Sequence, residues 1–123
     1  MFNHVMLGAN DIEESKRFYD ALLGTLGIPP AIRDSDVRCS YRGNGGVFMI
    51  KLPIDGEPAT KGNGSTVGFA AKSQAQVDAW HAAGIANGGV TCEEPPGLRA
   101  NGAYLAYLRD PAGNKLCAAY RER

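Results

Sequence analysis

Residues 4–27, HVMLGANDIEESKRFYDALLGTLG, return in physical pattern at residues 66–89, TVGFAAKSQAQVDAWHAAGIANGG, after a shift of 62 positions. His4, Val5, Leu7, Ala9, Phe18, Tyr19, Ala21 and Gly27 fall on Thr66, Val67, Phe69, Ala71, Trp80, His81, Ala83 and Gly89. Few letters are shared. What recurs is a short apolar run, a polar cap, an apolar stripe and a closing glycine. Two copies of one unit facing each other make a cleft that neither makes alone, so function is expected where the halves meet.

In the first copy Val5 to Ala9 reads as a strand, and Asn10-Asp11 offers a helix cap with Glu13 and Glu14 in the first turn, favourable to the helix dipole. Ile12, Ser15, Phe18, Tyr19, Leu22 and Leu26 then recur at three- and four-residue steps, which predicts a helix lying on a sheet. Gly24 and Gly27 with Pro29-Pro30 mark its end. Three strands are expected next, at Ala31 to Arg33, Val37 to Tyr41 and Val47 to Leu52, the last two separated by the turn Arg42-Gly43-Asn44-Gly45-Gly46. The unit reads βαβββ.

Residues 53–64, PIDGEPATKGNG, have two prolines and three glycines without periodicity and read as a connector. The overlapping TKGNGST superficially suggests a phosphate cradle, but it lacks the P-loop glycine order and precedes a strand, so the linker reading is preferred. The pattern then restarts. Thr66 to Ala71 is a strand, Ser73 a cap with Gln76 at capping-box spacing, and Val77, Trp80, Gly84 and Ile85 a helix stripe. Val90 to Glu93 is a weak strand, Glu94 to Gly102 a Pro/Gly loop, and strands Tyr104 to Arg109 and Lys115 to Tyr120 flank the turn Asp110-Pro111-Ala112-Gly113-Asn114. The 123 residues thus form one domain of two modules, about 1–52 and 65–123, with linker 53–64. Each sheet has one face covered by its helix, so the other must be buried or line a cavity; an ordinary α+β sandwich with no functional repeat is the alternative.

A chain of this length buries roughly 65–70% of its unfolded surface and needs no staples. Its 13 basic and 13 acidic residues are scattered and cancel, which leaves no footprint for nucleic acid or an anionic membrane. No apolar run reaches the roughly 18 residues of a membrane span, and the N-terminus lacks the pattern of a secretion signal. Cys39, Cys92 and Cys117 are odd in number and without CxxC spacing, which argues against a disulfide framework and a closed zinc site. A soluble protein of the reducing cytoplasm is expected.

The opening His4-Val5 strand, NDIEESKRFYDALLGTLG, the restart NGSTVGFAA and the ending YLAYLRDPAGNKLCAAY together resemble the vicinal oxygen chelate superfamily of glyoxalases, bleomycin-resistance proteins and extradiol dioxygenases. The resemblance covers the whole chain, and the strand, D-P-x-G-N turn and final strand are its most specific part. It implies an α+β fold in which two βαβββ modules form an open, curved eight-stranded mixed sheet around a concave cavity, helices on the outer face, often with a divalent metal in the concavity.

Metal-binding members of that superfamily place ligands near the starts of the first strands of the two modules and on the strands that close them. His4 matches the first position, and neutral imidazole suits zinc, nickel, iron or manganese. At the second, Thr66 replaces histidine. On the closing strand relatives often read G-N-K-hydrophobic-Glu, whereas Gly113-Asn114-Lys115-Leu116 is followed by Cys117. In the first module's closing strand Met49, Ile50 and Lys51 are the nearest candidates, and none is a carboxylate. His4 with a Cys117 thiolate gives two ligands, short of the three that catalytic zinc sites retain, so a divalent metal is disfavoured.

His4 and Cys117 are nevertheless the candidate catalytic pair. Each also has a plain structural alternative: a strand-end histidine bonded to backbone, and a small buried hydrophobe. Thr66, Lys51, Arg38, Tyr41, Arg99, Tyr104 and Tyr107 are candidate ligand-binding residues, since Tyr and Arg combine flat contact area with directed donors. Two functions compete. One is a glyoxalase-like enzyme using His4 and Cys117, with lyase, transferase or dioxygenase-type chemistry left open. The other is a protein of the bleomycin-resistance kind that sequesters a small molecule; under either, a homodimer without nucleic-acid or membrane partners is expected.

Overall fold

The computed structural model describes residues 1–43 and 45–122; Asn44, in the expected turn of the first module, and Arg123 lie outside the described residues. The element order is β1 (His4–Gly8), α1 (Ile12–Gly24), β2 (Ile32–Ser35), β3 (Arg38–Gly43) and β4 (Gly46–Lys51), followed by β5 (Val67–Ala70), α2 (Gln74–Ala86), β6 (Val90–Thr91), β7 (Gly97–Leu98), β8 (Ala103–Arg109) and β9 (Lys115–Arg121). The first sheet runs β1-β4-β3-β2 and the second β5-β9-β8-β6, with β7 also paired to β8. In both, the module's first strand lies parallel to its last and the remaining pairs are antiparallel. The architecture is α+β with open mixed sheets.

Three details differ from expectation. Among the described residues the strands number nine, because the loop after β6 contributes the two-residue β7, and they form two hydrogen-bonded sheets in place of one. Ile85, expected in the α2 stripe, is 44% exposed, whereas Val77, Trp80 and Gly84 are buried.

Asp11 caps α1 by accepting the Glu14 N–H, and Ser73 caps α2 by accepting that of Gln76. The Gln76 side chain in turn accepts the N–H of Lys72, one residue earlier than a standard capping box. The repeat pair Phe18 and Trp80 are both fully buried, and their helices share one core with Phe48 and Ile50 of β4 and Leu108 and Leu116 of β8 and β9. Phe48 meets Phe69 edge-on at 5.3 Å between ring centres, joining the sheets' helix-side faces.

The closing hairpin locks the halves together. Asp110, buried in the β8–β9 turn, accepts from the backbone N–H groups of Ala112 and Asn114 at 3.0 and 2.8 Å and from the Asn114 side chain at 2.9 Å. Its other partner is the Tyr19 hydroxyl of α1, at 2.5 Å. The Asn114 amide also donates to the Gly8 carbonyl of β1 at 2.9 Å. The D-P-x-G-N signature is therefore the clasp between modules. In the linker, the Asn10 side chain accepts the Ala59 N–H at 2.7 Å, which ties residues 53–64 to the first module.

Candidate functional site

Strand alternation decides which side chains reach the open face of each sheet. In the first sheet Val5, Leu7, Cys39, Tyr41, Phe48 and Ile50 turn to the helix side. The register pairs His4 with Val47, Met6 with Met49 and Gly8 with Lys51, and Lys51 with Arg38, so these residues share the open face. In the second sheet Leu116 and Ala118 are in the core, which leaves Lys115, Cys117 and Ala119 on the open face, opposite Arg109, Tyr107 and Leu105 of β8.

Two adjoining cavities lie where the first sheet's open face meets the linker. One of about 720 Å³ is walled by Ala9, Val37, Lys51, Pro53, Ile54 and Pro58. The other, of about 440 Å³, is walled by Met6, Gly8, Arg38, Lys51, Pro53 and Ile54. Both fall within the roughly 300–1,000 Å³ of small-molecule sites, and both are apolar apart from a few polar groups. Lys51 lies in both. Arg38 is held by the Asp34 carboxylate, whose own proton affinity drops below the usual aspartate range chiefly because Arg38 hydrogen-bonds to it, and Asp34 also accepts from the Ser40 hydroxyl.

On the second sheet, Cys117 is 7% exposed, and burial pushes its thiol pKa up, so the neutral thiol is favoured over the thiolate that would bind metal or attack a substrate. Tyr107 stands opposite it, with its own pKa raised by burial and by the Cys117 sulfur. The Lys115 ammonium sits 4.9 Å from the centre of the Tyr107 ring and pairs with Glu93. Thr66 precedes β5 and lines a third cavity, of about 280 Å³, with Arg109 and Lys115.

The remaining expected residues are placed elsewhere. Tyr41 and Tyr104, expected to line the ligand pocket, turn to the helix side because strand parity points them there. The Tyr41 hydroxyl donates to Asp20 at 2.8 Å, and burial followed by the bond to Asp20 drives its pKa far upward. Tyr41 does border a separate cavity of about 340 Å³ between the two modules. The Tyr104 hydroxyl donates to Asp78 of α2 at 2.8 Å. Arg99 is occupied in holding its own loop, donating to the carbonyls of Pro95 at 3.0 Å and Gly97 at 3.1 Å.

His4 is exposed, with its Nδ1 against the Asn3 side-chain oxygen at 2.8 Å. The charged and sulfur groups that act on Cys117 all come from the second module, and among the described residues no three His, Cys, Asp or Glu side chains converge on a point that could hold a metal. Among the described residues, the candidate donors His4 and Cys117 are thus not joined by a third ligand of these types. His81 also has a side-chain partner: its Nε2 lies 3.1 Å from the Thr91 hydroxyl, and burial lowers its pKa. Sequence reasoning missed the linker's Pro53 and Ile54 as cavity walls, and it missed the cationic pair Arg109 and Lys115. The second was legible, since residues flanking a hairpin turn stand opposite one another.

The family model of the glyoxalase/bleomycin resistance protein/dioxygenase superfamily matches residues 1–118. The chain belongs to this superfamily. A superfamily structure from Albidiferax ferrireducens T118, a glyoxalase/bleomycin resistance protein, is 65% identical, with a TM-score of 0.95 and 99% of each chain covered. A glyoxalase-related enzyme from Fulvimarina pelagi is 21% identical, with a TM-score of 0.80 over 98% of this chain and 88% of that one. A lactoylglutathione lyase from Agrobacterium tumefaciens is 20% identical, with a TM-score of 0.69 over 97% and 92%. The last two share the superfamily fold alone. No curated protein matches the chain. No helix among the described residues is long and apolar enough to cross a membrane.

Proposed function

We propose that the two modules work as one domain that binds a small organic molecule between the linker and the open face of the first sheet. Lys51 and Arg38 supply the directed donors, and no resident metal takes part. The supporting observation is that two adjoining cavities of ligand size share Lys51 and the apolar wall of Leu52, Pro53 and Ile54. A homodimer in the cytoplasm is the state we favour. β1 and β5 each have a neighbour on one side only, and Phe2, Ile54 and Leu98 are 72%, 93% and 66% exposed, so unpaired edges and apolar side chains stand ready for a second copy. All three cysteines are free, as in a reducing compartment.

The test is a thermal-shift screen of oxygen-rich and aromatic small molecules on protein purified without chelators, with elemental analysis alongside. A stabilising ligand whose effect is lost in Lys51→Ala, with no product formed, is expected. A stoichiometric metal, together with turnover that depends on His4, would replace this reading with the glyoxalase-like enzyme.

A further inference from the structure

We propose that the cavity beside the closing hairpin is an oxyanion seat, which takes the carboxylate or phosphoryl group of a small molecule lying along the second sheet. This rests on the reading that the chain binds small molecules, and it adds a second seat, on the other sheet, with the chemical class that the seat would take. The cavity is walled by Lys61, Arg109 and Lys115 and by the turn 62–66, with no carboxylate in its lining. The chain as a whole carries no net charge, so three cations around one small cavity are a local concentration.

The placement of two of these cations follows from the hairpin, and Lys61 comes from the linker. Arg109 and Lys115 are directly opposite across β8 and β9, and like charges in that relation repel unless something compensates them. Glu93 pairs with Lys115, whereas Arg109 and Lys61 have no carboxylate partner among the described residues. Arg109 gives one guanidinium nitrogen to the Gly113 carbonyl at 2.8 Å, a contact that orients the planar fork without neutralising it.

The opposite wall is preformed. The Ser65 N–H and hydroxyl both donate to the Gly62 carbonyl, at 3.2 and 2.8 Å, and Gly64 sits at φ +90°. A Cβ on Gly62 would collide with the Ser65 oxygen. This turn is part of the segment whose composition reads as a plain connector. At about 280 Å³ the cavity is just below the size of a whole-ligand site, which suits a head group. The next register pair on the same face is Tyr107 and Cys117, and the Lys115 ammonium lies against the Tyr107 ring, 4.9 Å from its centre.

The experiment titrates the full chain with inorganic phosphate in one arm and acetate in the other, at ionic strength matched with sodium chloride. The readouts are the amide resonances of Gly62, Gly64 and Ser65 and the melting temperature. A saturable change in either arm is expected; phosphate indicates a phosphoryl source, acetate a carboxylate. Lys61→Ala and Arg109→Gln should each weaken that binding at least tenfold, while Arg17→Gln, on the exposed side of α1, leaves it unchanged. Lys61 makes no ion pair, so its variant decides the matter if Arg109→Gln folds poorly. The proposal is overturned if neither anion exceeds chloride, or if folded Lys61→Ala binds as the parent does. Inert anions alongside a Lys51-dependent organic ligand would remove the oxyanion seat and leave the proposed function standing. Saturable anion binding with no organic ligand would do the reverse.

Discussion

Asp20 shows how one side chain joins three elements. It accepts from Lys16 within α1 at 2.7 Å, from the Ala31 N–H before β2 at 3.0 Å and from the Tyr41 hydroxyl of β3 at 2.8 Å. Burial acts to raise its pKa, but these donors outweigh it and hold the group below the usual aspartate value of about 3.9. A depressed folded pKa adds stability that is fully present above about pH 4 and is lost as pH falls through the folded value. Asp20→Asn should therefore lower stability at pH 7, and its deficit should shrink below about pH 4. Urea unfolding at pH 7, 5 and 3 measures this; a deficit that does not change with pH would contradict it. Tyr41 marks the limit of reading by residue type. Its aromatic hydroxyl suggests a pocket; its parity with Cys39 turns it to the helix side, where it packs in the core and also borders the cavity between the modules. Parity also places Cys117, since its neighbours Leu116 and Ala118 occupy the opposite, core face.

At the scale of elements, the helices, caps and long strands were legible because each carries a periodic or capping signal. β7 was not, since two paired residues, Gly97 and Leu98, have no period to show. The open-face cavities were legible only in part: the sheet contributes alternating residues, but the linker walls depend on where a non-periodic segment comes to rest. The end of α2 is set by close packing. Gly89 donates to the Gly84 carbonyl at 2.8 Å, and a Cβ on Gly89 would lie 2.6 Å from Phe18 Cε1 and 2.8 Å from the Gly84 oxygen. One of these neighbours is backbone and the other a fully buried ring, so neither yields easily. Gly89→Ala is expected to destabilise by about 1–3 kcal/mol, as overpacked core sites do. Chemical denaturation with an unchanged m-value checks it, and a neutral or stabilising outcome would show that α2 can shift.

At the scale of the molecule, the halves are held by a shared apolar core and by the Tyr19–Asp110 and Asn114–Gly8 bonds. Tyr19→Phe leaves the ring packing and removes a donor from a buried carboxyl group, a loss of about 1–3 kcal/mol. Thermal and urea unfolding should show one cooperative transition moved to lower stability; two separated transitions would mean that the modules unfold independently. The same contacts bear on the chain's continuity. Gly56 lies in an exposed bend of the linker, far in sequence from either end of the clasp. Fragments 1–56 and 57–123, made separately, should each be largely unstructured and should regain the parent's circular dichroism as a one-to-one complex when mixed. The peptide bond after Gly56 would then be dispensable to the fold, and the molecule would behave as a two-component assembly encoded in one reading frame.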